Sequence, residues 1–290
     1  MQQVKGMKQS MCLNPGDILR DRYQIIGQLG EGGFARTYTA NDALGSPENP
    51  LCVVKEIPPP ESNDERLLEE AQHQFEKEAK TLKYLDKCPQ IPKLIDRFLE
   101  QGKFYLIQEY IAGNPLNKEL VSGRQFRESE VIDLLQDILE VLDCVHKKHI
   151  IHRDIKPSNL IRCNRSGKIA VIDFGAVKGI SNLAVQGGQI TQTRVIGTDG
   201  YMPAEQWKNQ PRFNSDIYAV GIIGIQAIAG LDIQDFFNDK KTGELVWRYA
   251  THDRPMVQIS DKLEKVLNKM VRYDFNDRYP SAVENGVSIC

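Results

Sequence analysis

The chain has 290 residues, 41% of them hydrophobic and 26% charged, and a formal net charge of −2. That composition excludes a wholly disordered polymer, and the length suits two lobes sharing one cleft better than two independent domains plus a linker. So small a net charge makes no claim on nucleic acid or an anionic membrane, and no local basic patch supplies one.

Residues 1–16 read as an N-terminal extension. Apolar and β-branched stretches at Tyr23–Leu29, Arg36–Ala40 and Leu51–Ile57 predict three antiparallel strands, with a loop over Asn41–Pro50. Three prolines, Pro58 to Pro60, offer no amide donors to a ladder and end the third strand. From Asp64 to Leu85, apolar residues recur every three or four positions, which predicts a long helix. Ile95–Leu99 and Phe104–Ile111 read as a hairpin turning at Gly102, and Gly113-Asn114-Pro115 breaks the chain. Helices are expected at Ser129–Lys147, Tyr218–Gly230 and Asp261–Val271, with short strands near 160 and 170. The result is a small β-rich lobe over about 17–110, a hinge at 108–113, and a larger helical lobe over about 114–285. Val283–Cys290 holds Gly286 in mid-segment and shows little helical period, so the chain reads as naturally minimal or as a truncated product.

The six cysteines, at 12, 52, 88, 144, 163 and 290, form no C-x-x-C pair and no zinc-spaced array, so free thiols in a reducing compartment are expected. Residues 1–13 lack an apolar run of signal-peptide length, which predicts a cytoplasmic protein. The longest apolar segment, Ile217–Leu231, contains Gln226 and is too short to span a bilayer; it reads as a buried core helix.

Gly30-Glu31-Gly32-Gly33 is followed by Arg36-Thr37-Tyr38-Thr39, which continues as a strand. A dinucleotide-binding loop runs from strand into helix, so this order points instead to a hairpin flap over phosphates. Lys55 sits in the middle of a β-branched strand, where burial is costly without an anionic partner. Glu78, between Phe75 and Leu82 on the long helix, is a candidate partner, although helix glutamates such as Glu69 and Glu76 usually read as solvated charge. In the run Ile151 to Leu160, Asp154 is a candidate base and Asn159 a candidate metal ligand; Asp173 of Asp173-Phe174-Gly175 is a second ligand. Phosphoryl transfer needs such a set, because its transition state is loose and the protein acts by positioning the nucleophile and neutralising oxygens through Mg²⁺. Asp and Asn often simply form turns, but their joint order here argues against that reading.

Together these runs resemble the eukaryotic-like (Hanks-type) Ser/Thr protein kinases over roughly residues 20–283. Arg20-Asp21-Arg22-Tyr23, Pro89-Gln90-Ile91-Pro92 and Pro203-Ala204-Glu205-Gln206 look most like cyanobacterial members. The resemblance implies an α+β bilobal fold, with a five-strand antiparallel lobe carrying one helix and a larger, mainly helical lobe. It implies ATP-dependent transfer of the γ-phosphate to protein Ser and Thr hydroxyls, with autophosphorylation. A nucleotide-binding scaffold without chemistry and a small-molecule phosphotransferase are the alternatives.

By the same resemblance, Lys55, oriented by Glu78, meets the α and β phosphates, Lys156 the γ-phosphate, and Asn159 and Asp173 hold Mg²⁺ or Mn²⁺. Leu29, Gly30, Gly32, Gly33, Thr37, Val53 and Ile161 line the nucleotide, with Gln108 as gatekeeper and Glu109 and Ile111 on the hinge. Thr37 replaces the usual valine, Ala35 the third loop glycine, and Cys88 a histidine that often precedes Pro89. Asp216 is expected to brace the catalytic loop, Glu205 to pair with Arg278, and Thr198 to contact Asp154 and Lys156. Arg153, next to Asp154, implies a switch by phosphorylation at Ser181, Thr191 or Thr193, with the two threonines favoured.

Overall fold

The computed structural model describes residues 12–32, 35–47, 49–58, 65–175, 178–179, 197–248 and 257–282. Two compact units emerge, one comprising residues up to Lys83 together with Pro92–Tyr110, the other Tyr84–Ile91 together with the chain from Ile111 onward.

The first unit is a sheet with one helix. Its strands are β1 (Ile18–Leu19), β2 (Tyr23–Gly32), β3 (Ala35–Ser46) and β4 (Asn49–Ile57), then, after helix α1 (Glu65–Tyr84), β5 (Leu94–Glu100) and β6 (Lys103–Glu109). They lie in the order β1-β2-β3-β4-β6-β5, every pairing antiparallel. Five long strands are those expected; the two-residue β1 makes a sixth. Period two decides the faces. Tyr23, Ile25, Tyr38, Ala40, Cys52 and Val54 point one way into a core with Phe98, Tyr105 and Ile107. Leu106 and Phe104 point the other way, against Phe75 and Ala79 of α1. β6 is covered on both faces, which explains its unbroken apolar run.

The expected loop over Asn41–Pro50 is mostly strand. β3 runs on to Ser46 and pairs Asn41 with Leu51 and Ser46 with Asn49. The reason is a buried carboxylate: Asp42 accepts from Arg22 Nε at 2.5 Å and Nη2 at 2.7 Å, and from the amide of Leu44 at 3.0 Å. A residue type that usually favours turns here anchors a strand edge.

The second unit contains β7 (Gly113–Pro115), α2 (Glu128–Lys147), β8 (Ile150–Ile151), β9 (Leu160–Cys163), β10 (Ile169–Val171), β11 (Lys178–Gly179), α3 (Ala204–Trp207), α4 (Phe213–Ala229), β12 (Phe237–Asn238), β13 (Leu245–Val246) and α5 (Asp261–Met270). Gly113-Asn114-Pro115, expected as a break, pairs with β9, which pairs in turn with β10. α4 is buried along almost its whole length and packs between α2 and α5. Gly224 permits this, since a Cβ there would lie 2.9 Å from side-chain carbons of both Leu135 and Leu267. α4 begins at Phe213, before the expected Tyr218, because Asn214, Ser215 and Asp216 are buried for tertiary bonds although their types suggest a turn.

The expectation of free thiols fails at one pair: Cys88 and Cys144 form a disulfide, with Cα atoms 5.8 Å apart and 56 residues between them in sequence. Spacing cannot reveal such a bridge, which depends on the segment after α1 reaching α2. Cys12, Cys52 and Cys163 are in no disulfide, and burial pushes the Cys52 thiol up to about 12. Cys290 lies outside the described residues. No helix among the described residues is long and apolar enough to cross a membrane.

Candidate active site

In the first unit the glycine segment ends β2, and β3 returns beside it, pairing Gly30 with Thr37 and Gly32 with Ala35. Strand follows strand, so the segment is a hairpin and not the strand-to-helix turn of a dinucleotide loop. Thr37 Oγ1 donates to Gly30 O at 3.2 Å across the hairpin. Cross-strand register puts Thr37 and Leu106 opposite Lys55, and Gln108 opposite Val53, so all five share one face of the sheet. From that face Lys55 Nζ reaches Glu78 Oε1 of α1 at 2.7 Å, with both side chains largely shielded from water. Gln108 is buried and its Nε2 has no partner, while Leu29, at a register irregularity of β2, is half exposed. The Glu109 amide donates to Lys93 O at 2.9 Å. Gly33 lies outside the described residues.

In the second unit Asp154 lies in the segment between β8 and β9. Its carboxylate collects three donors: Thr198 Oγ1 at 2.8 Å on Oδ1, and Asn159 Nδ2 at 3.1 Å and Lys156 Nζ at 2.9 Å on Oδ2. Lys156 Nζ also donates to Thr198 Oγ1 at 2.8 Å, so Thr198 makes both expected contacts. The backbone here is irregular, with φ of +73° at Arg153 and +64° at Asp173, values rare for residues with a side chain. Buried bonds hold it. Asp216 accepts the amides of His152 and Arg153, each at 2.9 Å, and Gln206 Nε2 donates to Arg153 O at 2.6 Å. Asp216 is held in turn by His146 Nε2 of α2 at 3.0 Å. The expected brace is therefore present, as is the buried Glu205 to Arg278 pair at 2.7 and 3.2 Å. Burial lowers the pKa of the Arg153 guanidinium, against the raising influence of Asp216, and its Nε has no partner.

The Asn159 amide nitrogen is committed to Asp154, at 2.9 Å to its backbone O as well as to Oδ2, which leaves the side-chain oxygen as the free acceptor. Ile172 N donates to Asn159 O at 2.9 Å, which ties the segment before Asp173 to Asn159. Among the described residues no three His, Cys, Asp or Glu side chains cluster as a metal site. Two oxygen donors alone fit a cation such as Mg²⁺, which keeps waters and phosphate oxygens for its remaining positions. Ile161 on β9 and Ile111 are half buried in this unit.

The family model of the protein kinase domain matches residues 23–285. The chain belongs to the protein kinase family. This kinase domain is 37% identical over 278 residues to serine/threonine-protein kinase B of Synechocystis sp., covering 94% of this chain and 47% of that protein. It is 38% identical over 270 residues to serine/threonine-protein kinase PknA of Nostoc sp., covering 92% and 46%. Identity to serine/threonine-protein kinase PrkC of Bacillus subtilis is 26% over 274 residues, covering 92% and 40%. The cyanobacterial leaning of the sequence is borne out, and the chain spans about half the length of the curated relatives it matches.

Three residues of this kinase domain escaped sequence reasoning. His146 occupies an inward position of α2 beside Leu142 and Val145, and a histidine on an apolar stripe is itself a sign of a buried partner. Gln206 directly follows Glu205 and carried only a lineage hint. Gln90 donates through Nε2 to Ile169 O at 2.5 Å and accepts from Val171 N at 2.9 Å; nothing in its local pattern announces this.

Proposed function

We propose that this chain transfers the γ-phosphate of ATP to Ser and Thr hydroxyls of protein substrates, itself included, with Mg²⁺ or Mn²⁺ as the cation. The observation that carries the proposal is the Asp154 carboxylate, oriented by Thr198, Asn159 and Lys156. So held, Asp154 positions a substrate hydroxyl and takes its proton as the hydroxyl attacks. Lys156, already beside Asp154, balances negative charge gathering on the transferred group. Lys55, held by Glu78, faces the α and β phosphates. Leu29, Gly30, Gly32, Gly33, Thr37, Val53, Gln108, Glu109, Ile111 and Ile161 contact the nucleotide. A cation held by Asn159 and Asp173 would neutralise phosphate oxygens.

Arg153 extends the reading to control. Its buried guanidinium suits a phosphate on Thr191 or Thr193, both of which lie outside the described residues, as does Ser181. With no helix among the described residues long and apolar enough to cross a membrane, we place this kinase domain in the cytoplasm.

Radiolabel transfer from ATP to a generic protein substrate tests the chemistry. Asp154→Asn should lower the rate by roughly 10² to 10⁴, the usual contribution of a positioned acid or base. Chelation of divalent ions should stop transfer, and added Mg²⁺ or Mn²⁺ should restore it. Nucleotide binding without transfer in the unaltered protein would favour a scaffold instead.

A further inference from the structure

We infer that Cys88 and Cys144 form a reversible dithiol–disulfide site whose oxidation state sets how firmly strand β10, and through it Asp173, is held. The bridge joins the segment after α1 to helix α2. Two residues beyond Cys88, Gln90 adopts a left-handed φ of +62°, a conformation uncommon for a residue with a side chain. It grips β10 at both ends, donating to Ile169 O at 2.5 Å and accepting from Val171 N at 2.9 Å. Asp173 follows β10 by two residues. A covalent anchor on Cys88 therefore restrains the clamp that holds the strand leading to Asp173.

Cys88 is 4% exposed, whereas Cys144 is less deeply buried, and on that difference we assign the first attack to Cys144 Sγ. Reduction by a dithiol then runs in two steps. A thiolate bonds to Cys144 Sγ and the Cys88 sulfur leaves as thiolate, which takes a proton. The second thiol of the reductant displaces Cys144, closing its own disulfide and leaving two protein thiols. Oxidation by a low-molecular-weight disulfide reverses this, with two thiols of that reagent released. In a reducing compartment such a pair rests as thiols and closes when the disulfide pool rises, which makes it a sensor rather than a permanent staple.

The consequence for Asp173 rests on the metal role proposed above, and the test separates the two. The full chain is treated with oxidised glutathione or with dithiothreitol, beside a Cys144→Ala variant. Peptide mass mapping should find the Cys88–Cys144 link only after oxidation. Hydrogen exchange at Val171, whose amide bonds to Gln90, should quicken about tenfold in the reduced chain and in Cys144→Ala. The Mg²⁺ concentration for half-maximal transfer should rise about tenfold in the same two samples, the usual size of a lost supporting contact. Cys144→Ala should not respond to either reagent.

Absence of the linked peptide, or equal exchange at Val171 in oxidised and reduced chains, would overturn the inference. So would a redox response retained in Cys144→Ala, since other cysteines would then be its source. An unchanged Mg²⁺ requirement beside quickened exchange overturns the coupling to Asp173 if Asp173→Asn abolishes transfer. If Asp173→Asn leaves transfer intact, the metal assignment fails, and the exchange data alone decide the clamp.

Discussion

In the first unit, Lys55 stands on a regular strand and meets Glu78 on a regular helix; in the second, Asp154 and Asp173 stand on irregular backbone that side chains from elsewhere hold in shape. The first arrangement needs only that β4 and α1 form and pack, and the ion pair then follows from the period of each element. The second needs Asp216, Gln206 and His146, residues distant in sequence, to occupy the positions that backbone amides and carbonyls would otherwise leave unsatisfied. Functional groups on regular elements can thus be removed without loss of fold, while those on braced loops share their support with the fold itself.

That contrast is tested most severely at Asp216. Asp216→Ala strips two buried amides and His146 of their acceptor, and should destabilise the protein by about 3 to 5 kcal/mol, the range for a broken buried charged contact. Urea unfolding measures the loss, and phosphate transfer should fall with it. Near-normal stability would mean that the loop holds its shape by other means.

Lys55→Met should behave differently. Transfer should fall by roughly 10² to 10³, as when one preorganised electrostatic donor is lost, with unfolding close to that of the unaltered chain. The substitution deletes a proposed phosphate contact rather than core volume. Glu78→Gln should lose less activity, since Lys55 keeps its position on β4. A stability loss in Lys55→Met as large as that of Asp216→Ala would erase the distinction between the units.

The smallest effect concerns pH and belongs to the first unit alone. The Arg22 guanidinium beside Asp42 holds its carboxyl below the usual carboxylate value. A depressed folded-state pKa contributes stability that is present above the unfolded value, about 3.9, and is lost as pH falls through the folded one. The thermal unfolding temperature should therefore fall on acidification below about pH 4. Asp42→Asn should remove this part of the pH dependence and cost about 1.5 to 3 kcal/mol at neutral pH, as for a hydrogen bond to a charged group. A variant that keeps the full acid response would assign it to other carboxylates.

Much of the first unit could be read from residue order. Apolar and β-branched stretches placed β2, β3, β4, β5 and β6, and three- and four-residue spacing placed α1 to within a residue at each end. Lys55 in an apolar strand demanded an anion, and resemblance picked Glu78 from among the glutamates of α1. In the second unit the candidate residues Asp154, Asn159 and Asp173 were equally legible by type and spacing, while Lys156 came from resemblance. Their supports were legible in part: Asp216, Glu205 and Arg278 came from resemblance, while His146, Gln206 and Gln90 gave too little signal.

Sequence by itself determined which residues could do the chemistry and which elements carry them, because both depend on neighbours a few residues apart. Tertiary structure decided that Asp42 extends a strand where a loop was expected, that α4 starts at Phe213, and that Cys88 and Cys144 are joined. Each outcome turns on a contact between distant residues, Arg22 with Asp42, Asp216 with the His152 and Arg153 amides, one sulfur with another 56 positions away. Local propensity at these positions favours a turn or a free thiol, and the free energy of a long-range contact outweighs it only once the fold has brought the partners together.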